Sequence, residues 1–202
     1  MFSIIQAAGW PIWPLLACSV LALALVIERF ISLRTVNIAP PRLLAEVLSV
    51  TRTSVPPPDV VNHLEQTSAL GEVLASGLRA LNSNPRCSEQ DLRAVMEGTG
   101  RLVAHRLERY LSALATIASA APLMGLFGTV VGMIEIFAAY RPDGSDPTQL
   151  ARGISIALYN TGLGILIAVP CLMAHRYFKS HVESLLLRLE QSARRLRDSL
   201  RD

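Results

Sequence analysis

The chain has 202 residues, of which 51% are hydrophobic, and its mean hydropathy is +0.38, too apolar for a soluble domain of this size. Aromatics supply only 5%, so the excess is Leu, Ala, Val and Ile, the mixture expected of lipid-facing helices. A net charge of +3 gives no basis for nucleic-acid binding, and three scattered cysteines, Cys18, Cys87 and Cys171, give neither a disulfide framework nor a zinc site.

The first apolar segment, Met1 to Ile27, carries no charge and is densest from Ile12 onward. Ala22-Leu23-Ala24 resembles a signal-peptide cleavage site, but no Lys or Arg precedes the apolar run, so an uncleaved span is predicted. Trp10 and Trp13 suit interfacial anchors at one end, and Glu28, Arg29 and Arg34 follow at the other. Beyond it, Pro40-Pro41 opens a short predicted helix through Thr53, which Pro56-Pro57-Pro58 stops. Thr67 to Asn82 has helical spacing in Leu70, Val73, Leu74, Leu78 and Leu81, and Asn82-Ser83-Asn84-Pro85 reads as a turn. Ser88 is a predicted N-cap, with Asp91 three residues on.

From Ser88 no breaker precedes Pro122, so a single helix is predicted to about Tyr140, some 50 residues or ~75 Å long. Its part from Ser112 to Ala139 holds one charge, Glu135. The third apolar helix is predicted to start at Asp146-Pro147 and to run through Leu185, Leu186, Leu189 and Leu196, with no charge between Gly153 and Ala174. Arginines crowd the segment between the first two spans and the C-terminal tail, whereas the N-terminus has no basic residue. By the positive-inside rule the N-terminus is outside and both basic segments are cytoplasmic. The predicted fold is therefore an all-α integral membrane protein. Transmembrane helices cover 1–30, 112–139 and 148–175, with a cytoplasmic helical region at 31–111, a short outer loop at 140–147 and a cytoplasmic C-terminal helix at 176–202. Two of the helices extend far into the cytoplasm.

Inside the spans, small and polar residues share faces. With Gly125 at zero on a helical wheel, Ala118, Ala121, Gly128, Thr129 and Gly132 fall within about 60° of it. On the third span Ala157, Thr161, Gly164 and Ala168 cluster likewise. Such faces let backbones approach closely in lipid. Thr129 and Thr161 fall at matched mid-membrane depth, where each either bonds back to its own helix or faces a polar path. Glu135, one turn from the outer end, snorkels to the interface or sits at the outer mouth of such a path. His63, His105, His175 and His181 lack metal-ligand spacing, and Arg194, Arg195, Arg197 and Arg201 read as a solvated face that also suits anionic headgroups. The Gly125/Gly128 cluster lacks a P-loop Lys, and no nucleophile–base pair is evident, so neither an enzyme nor a cofactor is expected.

Ala121-Pro122 with the following GLFGTVVGM, and the later ALYNTGLGILIAVP, resemble the MotA/TolQ/ExbB proton-channel family, as do the span order and the large loop after span one. Within it the chain is most similar to ExbB, because MotA proteins have four spans. The resemblance implies a homopentamer in the bacterial inner membrane, with the N-terminus and outer loop periplasmic. It also implies an ExbD-like single-span partner carrying a membrane Asp, and a TonB-like protein. The implied role is to use proton-motive force to drive TonB-dependent outer-membrane uptake; a TolQ-like role in envelope maintenance and a non-conducting membrane anchor are the alternatives. Thr129 and Thr161 match the family's pore-facing threonines, and Pro122 and Pro170 its motif prolines. Gly125, Gly128, Gly132 and Gly164 are the expected pore-helix packing positions. This chain departs from the family at Ile156, where many ExbB and TolQ members carry Glu, so the titrating carboxylate is expected from the partner.

Overall fold

The computed structural model describes residues 10–51, 56–139 and 147–199. Every regular element among them is a helix: α1 (Ile12–Ser32), α2 (Thr35–Ile38), α3 (Leu43–Thr51), α4 (Pro58–Thr67), α5 (Ala69–Ser83), α6 (Glu89–Glu108), α7 (Leu111–Ala139) and α8 (Pro147–Ser199). Three stretches, Ile12–Ser32, Glu89–Ala138 and Gly153–Ser199, are long and apolar enough to cross a membrane. Residues 140–146 of the expected outer loop, with its Asp146 cap, lie outside the described residues, as does the expected end of the first cytoplasmic helix at Thr53.

The chain divides into two compact units. One takes its described residues from Met1–Glu28 and Tyr110–Tyr177. In it, Leu15, Cys18, Ala22 and Leu25 form one stripe of α1, at spacings of three, four and three. The stripe packs on Ile117, Ala118, Ala121 and Met124 of α7 and on Ile167, Ala168 and Cys171 of α8. The opposite surfaces stay apolar and exposed, as Leu23, Leu126, Phe137 and Leu166 show, which is the pattern of helices whose surroundings are hydrocarbon or other membrane helices. Pro122 and Pro170 lie inside continuous helices, α7 and α8. Proline deletes a backbone donor there, a loss that membrane helices tolerate when neighbouring groups take up the freed carbonyl.

The other unit takes its described residues from Arg29–Arg109 and Phe178–Asp202. Leu70, Val73, Leu74, Gly77 and Leu78 give α5 a buried i, i+3, i+4, i+7, i+8 face. On α8, Phe178, Val182, Leu185, Leu189 and Leu196 are buried at three- to four-residue or two-turn spacing. Phe178 meets Phe30 edge-on with ring centroids 5.0 Å apart. Ser88 caps α6 as expected, accepting from Asp91 N at 3.1 Å and donating to Asp91 Oδ2 at 2.7 Å. Arg79 reaches Asn62 Oδ1 at 3.1 Å and pairs with Glu65, whose carboxyl the guanidinium holds below its ordinary range.

Pro58, expected to help stop the preceding helix, opens α4, at a first-turn position where proline's missing donor costs nothing; the end of the preceding helix lies outside the described residues. Two sequence expectations need correction. Thr67 closes α4 rather than starting the next helix, because Ser68 is extended and caps α5 by accepting from Gly71 N at 3.0 Å. The helix expected to run unbroken from Ser88 reaches Ala138 as one 50-residue stretch, but its regular hydrogen bonding breaks locally at Arg109–Tyr110, where Arg109 keeps helical dihedrals. There Arg29, only 3% exposed, donates from Nη1 to the carbonyl of Leu107 at 2.9 Å. That carbonyl belongs to the last turn of α6, whose acceptors have no partner within the helix.

Candidate functional site

The glycines of α7 and α8 mark a seam where the two helices run antiparallel. A methyl placed on Gly132 would lie 3.3 Å from Ala157 Cβ. One on Gly128 would lie 2.9 to 3.1 Å from the side-chain atoms of Asn160, and one on Gly125 only 2.7 Å from the Asn160 carbonyl and 3.0 Å from Thr161 Cα. From the other side, a methyl on Gly164 would sit 2.5 Å from the Ala121 carbonyl and 3.1 Å from Gly125 Cα. Contacts under 3.0 Å to backbone cannot be relieved by turning a side chain, so these positions need the absent Cβ. The structure thus brings Gly125, Gly128, Gly132 and Gly164 together with Thr161.

The two threonines differ. Thr129 Oγ1 donates to the Leu126 carbonyl of its own helix at 2.6 Å, the back-bonded arrangement common for hydroxyls in membrane helices. Thr161 Oγ1 is enclosed and has no hydrogen-bond partner among the described residues. A buried hydroxyl with no fixed partner is costly, and such groups are concentrated where chemistry needs them free. Glu135 is exposed on α7. Pro122 is half-buried and Pro170 exposed, and neither adds a polar group to the seam. The side chain of Ile156 lies outside the described residues.

Asn160 was not singled out by the sequence, yet it is the most buried polar residue beside the threonine, at 1% exposure. The signal was present. On the wheel centred on Ala157, Asn160 falls at about −60°, some 40° beyond Gly164 and so at the border of the face that holds Thr161, Gly164 and Ala168. Selecting that face by small size hid it.

The histidines near the ends of the apolar segments are held by backbone rather than by one another. A ring N–H of His175, at Nδ1, donates to the Leu111 carbonyl at 2.9 Å, and His181 donates from Nε2 to Leu33 at 2.9 Å. No group of three or more metal-ligating side chains occurs among the described residues. A groove of about 670 Å³ between α6 and the end of α8 has Met96 and Leu189 on its floor and Arg93, Glu97, Glu190 and Arg194 on its rim. The rim charges pair along their own helices, Arg93 with Glu97 at 2.6 Å and Arg194 with Glu190 at 2.5 Å. Arg93 holds the Glu97 carboxyl below its ordinary range. Exposed i, i+4 pairs of this kind contribute little to stability and describe a solvated face.

Residues 65–191 match the model of the MotA/TolQ/ExbB proton channel family. The chain is 28% identical over 180 residues to the biopolymer transport protein ExbB-like 3 of Synechocystis sp., covering 87% of this chain and 83% of the relative. It is 28% identical over 190 residues to the biopolymer transport protein exbB1 of Vibrio cholerae, covering 93% and 82%. The Tol-Pal system protein TolQ of Pseudomonas aeruginosa matches at 30% over 127 residues, covering 59% and 55%.

Proposed function

Because the chain belongs to the MotA/TolQ/ExbB proton channel family, we propose that it is the proton-channel scaffold subunit of an inner-membrane complex that turns proton-motive force into work on a partner. Five copies surround a central cavity. A single-span ExbD-like protein brings the titrating Asp, and a TonB-like protein carries the output to outer-membrane uptake. The N-terminus is periplasmic, and the 31–111 region and the C-terminus are cytoplasmic.

The observation that carries this reading is the enclosed, uncommitted hydroxyl of Thr161 at a glycine-lined seam between two membrane-length helices. A hydroxyl both donates and accepts, so it passes a proton along a hydrogen-bond chain without titrating near neutrality. Thr129 holds the corresponding depth on α7. With its proton directed to Leu126, it offers lone pairs to the same chain. Packing alone would be served as well by valine, which has the same shape without the hydroxyl.

Thr161→Val separates conduction from anchoring. The variant complex is expected to assemble with its single-span partner and to lose proton-dependent uptake. Undiminished energised uptake would remove Thr161 from the path. The matching TolQ relative supports a second output, envelope maintenance. Deleting the gene distinguishes the two: loss of energised uptake marks the first role, and detergent sensitivity with intact uptake marks the second.

A further inference from the structure

The path proposed above leaves Asn160 unexplained. Between Gly153 and Ala174 this chain carries no Asp, Glu, Lys or Arg. Into that uncharged segment the fold places a carboxamide at 1% exposure, next in sequence to the enclosed Thr161 hydroxyl. The facing helix is shaped around it. A methyl on Gly128 would come within 2.9 Å of Asn160 Cβ and 3.0 Å of its Nδ2, so even alanine there would press on the amide.

Burying an amide in an apolar segment costs free energy that a leucine would not, and intramembrane polar groups are retained where a polar route needs them. An amide donates and accepts at once and keeps both abilities at every pH of interest. We propose that Asn160 is a positioning residue of the proton path: its amide, seated in the notch at Gly128, orients the hydrogen-bond chain that runs through Thr161. It does not itself take up the proton. In this chain a fixed dipole then does the orienting at a depth where the span offers no charge.

This inference rests on the proposed channel function, and the experiment separates the two. The full-length chain is co-purified with its single-span partner, placed in liposomes, and proton entry is followed with an enclosed pH dye under an imposed gradient. Asn160→Ala and Asn160→Ser remove nearly equal volume and differ by one hydroxyl. Asn160→Ala is expected to slow proton entry at least about tenfold, the rate equivalent of one lost hydrogen bond, while Asn160→Ser recovers most of it. The double variant Gly128→Ala/Asn160→Ala refills part of the notch, and is expected to restore thermal stability without restoring flux. Equal flux in the Ala and Ser variants, or flux restored by the double variant, would make Asn160 a packing residue and overturn the proposal while leaving the channel function intact. Failure of all three variants to assemble overturns it equally. A wild-type complex that admits no protons would overturn the channel function and this inference together.

Discussion

A single missing carbon atom sets the distance between α7 and α8. At Gly125 the nearest neighbour of an added methyl is the Asn160 carbonyl at 2.7 Å, an atom that belongs to a helix backbone and cannot turn aside. Gly125→Ala is therefore expected to force the helices apart and to destabilise the complex by about 1–3 kcal/mol, the usual cost of overpacking. It should appear as a lowered melting temperature of the detergent-solubilised complex. Gly162, with open space around its Cβ position, is the control: Gly162→Ala is expected to leave the melting temperature unchanged or raised. The two glycines are indistinguishable by residue type, and only the partner across the seam tells them apart. The same limit explains Asn160. Its place at the border of the face could be read from helical periodicity, whereas its burial depends on Gly128 of a different helix.

At the scale of elements, helix existence was legible and helix ends were less so. The apolar runs and the i, i+3, i+4 faces of α5 and α8 announce themselves because burial imposes a period that any sequence must obey. The cap at Ser88 was equally plain, since the donor and acceptor lie within four residues. What could not be read is the interruption at Arg109–Tyr110. It coincides with a buried guanidinium supplied from 78 positions earlier in the chain, and no local signal reports a long-range donor. Arg29→Met is expected to leave the Leu107 carbonyl without this donor and to cost about 1–3 kcal/mol. Arg29→Lys recovers part of that by restoring a charged donor without the planar fork. Thermal unfolding of the purified complex, followed by circular dichroism, measures both.

For the whole molecule, the composition had already read as too apolar for a soluble domain of this size, and three membrane-length helices are present among the described residues. The proposed orientation rests on the distribution of arginines and has its own check. Cys87 lies in the turn between α5 and α6, within the region assigned to the cytoplasm. A membrane-impermeant thiol reagent is expected to label it in inverted vesicles and not in right-side-out ones; the reverse would invert the topology. The seam also has a genetic consequence. Any single-base change in a glycine codon that alters the residue introduces Ala, Ser, Cys, Val, Asp, Glu, Arg or Trp, every one of which carries a Cβ. At Gly125 and Gly164 that atom would meet backbone at 2.7 Å and 2.5 Å. Neither codon has a harmless non-synonymous neighbour, so every single-base replacement of either glycine is expected to push the two helices apart.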